Sequence, residues 1–200
     1  IVENVRSARR FLRQVGYSAD FNEVEFFLID KHSPGEDISA MLQPLLSGKD
    51  TGLLSEAGLP CVADPGNRIV LACHRKNIKV VPLVGASSVM MALMASGFNG
   101  QRFCFHGYLP IERSDRISML KQLEHQAGKT GITQIFMETP FRNMALIKLI
   151  TEQLNAETLL CIACDLSLKS EVVHTAPLSF WKKNMPELHK RPGMFLLGRE

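Results

Sequence analysis

Residues 54–66, LSEAGLPCVADPG, set two small-residue turns, Ala57-Gly58 and Asp64-Pro65-Gly66, directly after a short apolar run. Two readings fit the pattern. One is an ordinary connection from strand to helix. The other is a backbone-lined cradle at the carboxyl end of a sheet strand, where open α/β sheets bind their ligands.

The neighbouring sequence decides the fold class. Residues 3–15 carry Val5, Ala8, Leu12 and Val15 at helical spacing. EVEFFLID (23–30) predicts a strand, EDISAMLQPLLSG (36–48) a helix closed by Gly48, and TGLLSEA (51–57) a short strand. A helix follows the Asp64-Pro65-Gly66 turn over 67–77, then a strand, IKVVPLV (78–84), and an apolar helix, SSVMMALMASG (87–97), stopped by Gly97. Strands alternating with helices in short units imply parallel pairing, hence an α/β fold.

The texture changes near residue 100. QRFCFHGYLP (101–110) predicts a strand running into a linker ended by Pro110. A polar helix is expected over 113–129, then strand 132–138, helix 141–155 and strand 157–165. Shorter strands near 171–175 and 193–198 flank a small helix at 178–185. These last strands lack long crossovers, so the second sheet is predicted to be mixed. The expected organisation is two α/β domains, 1–105 and 106–200, the first with a mostly parallel sheet.

With 46% hydrophobic and 22% charged residues the composition suits a globular chain with a sizeable core. A net charge of only +3 means that any basic footprint for nucleic acid is local. No apolar run approaches the roughly 18 residues of a membrane span, so no membrane role is expected. The chain opens abruptly at Ile1-Val2, without an initiator Met, and sequence before residue 1 is expected to be missing. Five scattered cysteines, at 61, 73, 104, 161 and 164, suggest reduced thiols and a cytoplasmic setting. Cys161-x-x-Cys164 lies in the apolar run TLLCIACDL, where its two thiols point to opposite sheet faces. It is therefore assigned to packing, and no metal site is expected. His32, His74, His125 and His189 sit in polar stretches with no metal-binding spacing.

Chemistry concentrates in the loops. Gly58 and Gly85 would let backbone N–H groups approach a ligand, and Ser87 and Ser88 open a helix whose N-terminus suits an anion, although Gly and Ser also cap helices without binding anything. Arg6, Arg9 or Arg10, and Arg13 form a stripe at spacings of three and four. That stripe is either a solvated helix face or a phosphate-contacting edge. Glu138 and Arg142 stand at a strand end and the following helix start, paired with each other or directed at a ligand.

The wording and order of these segments resemble the tetrapyrrole methylase family. Within it the resemblance is to the branch of bacterial small-subunit ribosomal RNA (cytidine) 2′-O-ribose methyltransferases. LLSEAGLPCVADPG (53–66) is similar to that family's S-D-A-G-T-P-x-x-x-D-P-G. NIKVVPLVGASSVMMALMASG (77–97) resembles its P-G-P-S-A and A-L-x-x-S-G, and RFCFHGYLP (102–110) its R-F-x-F-x-G-F-L-P. VENVRSARRFL (2–12), FMETPFR (136–142) and ACDLSLKSEVVHTA (163–176) resemble its E-D-T-R, E-S-x-x-R and A-R-E-L-T-K-x-x-E segments. The chain departs from the pattern at Asn4, Glu56, Leu59, Val84, Cys164 and Asp165, and the family's opening strand and Gly-rich loop, G-T-x-I-G-N-L, does not precede Ile1.

The resemblance implies S-adenosylmethionine held in a cleft between two domains. Its contacts would be Ser55, Ala57, Gly58, Leu59, Val62, Ser87 and Ser88, with Phe136 and Met137 flanking the adenine. For Phe136 and Met137, core packing is the competing assignment. Methyl transfer to a ribose hydroxyl needs a proton acceptor, and Glu3, Glu56 and Glu138 are the candidates. Arg6, Arg9, Arg13 and Arg142 are the candidate contacts to a ribosomal small-subunit RNA substrate. A homodimer is expected from the same resemblance. Two alternatives stand beside it: a tetrapyrrole-like small-molecule methylase of the same fold, and a non-catalytic relative that binds RNA or the ribosome.

Overall fold

The computed structural model describes residues 1–29 and 38–199. Asp30 of the first expected strand, His32, and residues 36–37 of the next expected helix lie outside the described residues. The chain divides into two compact units, Ile1–Ser87 and Ser88–Glu200.

In the first unit Val2 is bridged in parallel to both Leu28 and Leu54. Val2 N–H donates to Phe27 O (2.9 Å), Ile29 N–H to Val2 O (2.9 Å) and Leu54 N–H to Ile1 O (3.0 Å). Helix α1 (Val5–Gln14) follows, its N-terminus capped by Asn4, whose side-chain oxygen accepts from the N–H groups of Arg6 and Ser7. Ile1, Ile29, Met41, Leu42, Ile69 and Cys73 build the unit's core under α2 (Ile38–Leu46) and α3 (Asn67–Arg75). The expected parallel pairing is present. The strand expected over 78–84 is not: among the described residues this segment pairs with no strand, and Pro82 removes one of the donors a ladder needs. Ile78 and Val80 pack on the core, while Val81, Leu83 and Val84 are exposed.

The second unit contains a five-stranded sheet in the order β1-β2-β5-β3-β4, formed by β1 (Phe103–Tyr108), β2 (Thr133–Glu138), β3 (Leu159–Cys164), β4 (Val172–Pro177) and β5 (Gly193–Gly198). The β1–β2 pair is parallel and the other pairs are antiparallel, so the sheet is mixed as expected. Its strands β3 and β5 are apolar throughout because both faces are covered, whereas β2 also buries Thr133, Gln134 and Glu138. On one face Phe136, Ile162, Phe195 and Leu197 pack with α5 (Arg113–Thr130), α6 (Asn143–Gln153) and α7 (Leu178–Lys183). On the other, Ile135, Cys161, Ala163, Met194 and Leu196 receive Val89, Ala92 and Leu93 of α4 (Ser88–Ser96).

This packing explains why the division falls at Ser87/Ser88 and not at the expected 105/106. The apolar helix α4 belongs with the second sheet, and the strand expected within 101–110 is that sheet's edge strand β1. Cys161 and Cys164 are buried on opposite faces, as their spacing predicts. Among the described residues no helix is long and apolar enough to cross a membrane, and no cluster of three or more metal-ligating side chains occurs.

Candidate functional site

Two loops of the first unit build the candidate site. Asp64 organises the second turn of the opening motif: its Oδ1 accepts from Cys61 N–H (3.1 Å) and from Gly66 N–H (2.7 Å). A side chain at Gly66 would begin 2.8 Å from both Asp64 Oδ1 and Leu53 Cδ2, so glycine there serves the turn. Cys61 and Ala63, on either side of the exposed Val62, hold the left-handed conformation at φ 70° and 58°. That geometry is sparsely populated for residues with a Cβ and collects where the surroundings enforce it.

The Ala57-Gly58 turn is different. Gly58 stands at φ +72°, and no heavy atom lies within 4 Å of where its Cβ would be. The loop is closed from inside by Ser55 Oγ–H donating to Gly58 O (3.0 Å) and leaves its outer face clear. It is also tied to the start of α1. Glu3 Oε1 accepts from Glu56 N–H (2.9 Å), and Ser7 Oγ–H donates to Glu56 Oε1 (2.8 Å). Thus Glu3 and Glu56, separated by half a domain in sequence, converge beside Ser55, Ala57 and Gly58. A Cβ at Gly85 would lie 3.1 Å from Leu59 Cδ2, so the 84–87 loop meets this one. Ser87 is half-buried, and the exposed Ser88 opens α4.

The stripe on α1 holds an arrangement not legible in the sequence. Arg9 lies over the rings of Phe21 (5.5 Å) and Phe26 (5.2 Å), and Arg13 lies 4.3 Å over Phe21 while donating from Nη1 to Tyr17 O (2.7 Å). Tyr17 and Phe21 stack at 5.5 Å. Arg6 and Arg10 stay exposed. Cation–π contact immobilises two of the guanidinium groups while leaving N–H edges for an anion.

In the second unit the expected site residues have other tasks. Phe136 is fully buried and stacks on Phe195 with centroids 6.0 Å apart, so its ring is part of the core and not available to flank an adenine. Met137 is half-buried and packs against the opposite face. The Glu138 side chain is 1% exposed and its Oε1 accepts from Arg142 Nη2 (2.7 Å) and Nε (3.0 Å) and from Thr139 N–H (2.7 Å). Arg116 Nη1 lies 3.6 Å from Glu138 Oε2, while its Nε and Nη2 donate to Pro110 O and Ile111 O. The Glu138 carboxylate is buried and engaged by two guanidinium groups, so it is not open to a substrate hydroxyl and is a poor candidate for the proton acceptor. The same pairing ties Arg142 Nε and Nη2 to that carboxylate, with the Arg142 side chain 37% exposed.

Arg116 itself carries no sequence signal, being one arginine in a polar helix start. A second network joins Asp165, at φ 53°, to Ser170 Oγ–H (2.8 Å) and Arg191 Nε–H (2.9 Å). These hydrogen bonds, Ser170 first, hold its carboxyl below the ordinary carboxylate value.

No protein-family model matches the chain. It is 32% identical over 177 residues to "Ribosomal RNA small subunit methyltransferase I" of Buchnera aphidicola subsp. Acyrthosiphon pisum, an alignment covering 88% of this chain and 60% of that protein. To the protein of the same description from Escherichia coli O157:H7 it is 30% identical over 198 residues, covering 98% of this chain and 65% of that one. The chain therefore spans about three-fifths of the length of these relatives. Among solved structures it resembles the methyltransferase CobJ, with a TM-score of 0.60 and 16% identity over 94% of this chain and 80% of that one. It also resembles CbiF, a cobalt precorrin-4 methyltransferase of cobalamin biosynthesis, with a TM-score of 0.55 and 14% identity over 93% and 78%.

Proposed function

We propose, from the premise that this chain is a homologue of ribosomal RNA small subunit methyltransferase I with the tetrapyrrole methylase fold, that it is the greater part of an S-adenosylmethionine-dependent methyltransferase acting on the 2′-hydroxyl of a cytidine in small-subunit ribosomal RNA. The observation that carries this reading is the Ala57-Gly58 turn. It offers backbone in a left-handed conformation with clear space in front of it, closed by Ser55 and braced by Glu3.

The cofactor supplies an electrophilic methyl group. The chain's contribution is to hold and orient it through Ser55, Ala57, Gly58, Leu59 and Val62, with Ser87 and Ser88 from the adjoining loop. Glu56 is the stronger candidate to take the ribose proton. Its carboxylate is exposed at the cradle's rim and aimed by Ser7, whereas Glu3 is engaged with the loop backbone.

Gly58→Leu tests the cradle. A side chain there would stand in the clear space, and cofactor affinity by calorimetry on the full-length protein is expected to fall at least about tenfold, a loss of about 1.4 kcal/mol. Gly58→Ala supplies the control, since it brings the left-handed backbone penalty of about 1–2 kcal/mol with little bulk. Unchanged affinity in a folded Gly58→Leu protein would make the turn purely structural.

The α1 stripe is the proposed RNA contact. Replacing Arg6, Arg9 and Arg13 together by serine is expected to weaken RNA binding and to flatten the fall of log K with log salt by about 0.7 per lost contact to a single strand. Cofactor affinity should be unaffected. A salt slope equal to that of the unsubstituted protein would remove the stripe from the RNA footprint.

A further inference from the structure

Three side chains on the edge of the second sheet stand together without a part in the reading above. Cys104 on β1 is the register partner of Gln134 on β2, and His106 lies two residues further along the same strand. His106 Nε2 is 2.7 Å from Gln134 Oε1, and its Nδ1 is 4.0 Å from Cys104 Sγ.

The hydrogen bonds fix which nitrogen carries the proton. Gln134 is fully buried and its Nε2 donates to Ile132 O (2.8 Å), which identifies the oxygen facing His106 as an acceptor. His106 Nε2 must then be the N–H, and in a neutral imidazole the lone pair lies on Nδ1, the atom facing the thiol. A nucleophile, a base and a group orienting the base thus stand in sequence, the general arrangement of an activated thiol. Distances of this kind are often long before a reaction partner is bound.

The other cysteines present a contrast. Cys73, Cys161 and Cys164 are buried, and burial pushes each thiol up from its ordinary value. Cys61 is half-buried, and burial followed by the charge of Asp64 pushes its thiol up as well. Cys104 is exposed and lies beside an imidazole.

We propose that Cys104 is a reactive thiol and a reversible modification site for low-molecular-weight disulfides, with His106 as its base. The Cys104 S–H proton passes to His106 Nδ1, and the thiolate attacks one sulfur of R–S–S–R. The disulfide bond of the reagent breaks as the Cys104–S–S–R bond forms, and the departing R–S⁻ takes the proton. One thiol is consumed and one released, and the incoming disulfide is the only oxidant needed. The site is independent of the methyltransferase reading.

The test uses the folded chain with oxidised glutathione, and with 5,5′-dithiobis(2-nitrobenzoic acid) as the chromogenic disulfide. One thiol per chain should react rapidly at neutral pH, faster than N-acetylcysteine under the same conditions. Peptide mapping should place the adduct on Cys104. Cys104→Ser should remove the fast phase. His106→Ala, with an unchanged melting temperature, should slow it at least about tenfold, a modest share of what a positioned base contributes. The proposal is overturned if the first adduct forms on another cysteine. It is equally overturned if Cys104 reacts no faster than N-acetylcysteine, a comparison that needs no variant to fold. A folded His106→Ala protein reacting at the unsubstituted rate would overturn it too.

Discussion

Replacing Glu138 by alanine is expected to destabilise the second unit by about 3–5 kcal/mol, the cost of leaving one side of a buried ion pair uncompensated. The Arg116 side chain is 10% exposed and stands opposite Glu138, with its other nitrogens bound to the carbonyls that lead into α5. Without the carboxylate its charge keeps only carbonyl acceptors and loses its counter-ion. The sequence contains a single tryptophan, Trp181, which is buried in the same core as Phe136, so its fluorescence during urea unfolding reports on this unit. Glu138→Gln, which keeps shape and one acceptor, should cost less. A stable Glu138→Ala protein that lost only methyl transfer would instead return Glu138 to the chemistry.

Phe136→Ala is expected to have an effect of similar size, about 3–5 kcal/mol, because a large ring removed from a close-packed core leaves a cavity that the surroundings fill incompletely. The ring stacks on Phe195, itself fully buried on the neighbouring strand. The same urea transition measures the loss. Cofactor affinity, determined at a temperature where both proteins are folded, should change little. Lost affinity without lost stability would place the ring at a ligand and contradict its position in the core.

These two residues show where sequence reasoning stopped. Alternation along β2 separates Phe136 from Met137, because neighbours in a strand face opposite ways. It does not say which face is covered. Here both are, by α5 and α6 on one side and α4 on the other. That Glu138 ends a strand was legible. That the first turn of α5 sets Arg116 against it was not, since the pairing comes from the crossover that lays α5 on the sheet.

Helices with regular apolar spacing, such as α1 and α6, fall where expected. The apolar helix α4 was legible as a buried element without an address, and so the division between the units was expected too late in the chain. In the first unit the motif residues were informative because each meets a local need. Asp64 gathers two N–H groups, and Gly58 takes a conformation that costs other residues energy. The aromatic shelf under Arg9 and Arg13 left no such mark. Tyr17, Phe21 and Phe26 belong to a connecting segment whose path is set by where Val2 and Leu28 pair.

Val2 sits between Leu28 and Leu54, parallel to both, and this has a consequence for how the polypeptide is made. Residues 1 and 2 leave the ribosome before either neighbour exists. They gain their first partner only after residues 27–29 have emerged, and the second only after residue 54. Until then two of the most apolar residues of the first unit form an open edge, a template for pairing with other chains. Closing it requires joining widely separated segments in parallel, which is slow by comparison with local contacts. The second unit begins with α4 and can form its β1–α5–β2 crossover from contiguous chain. Residues 1 and 2 are therefore expected to be slow to become fully paired, and their period of vulnerability is set by the rate of translation through residue 54.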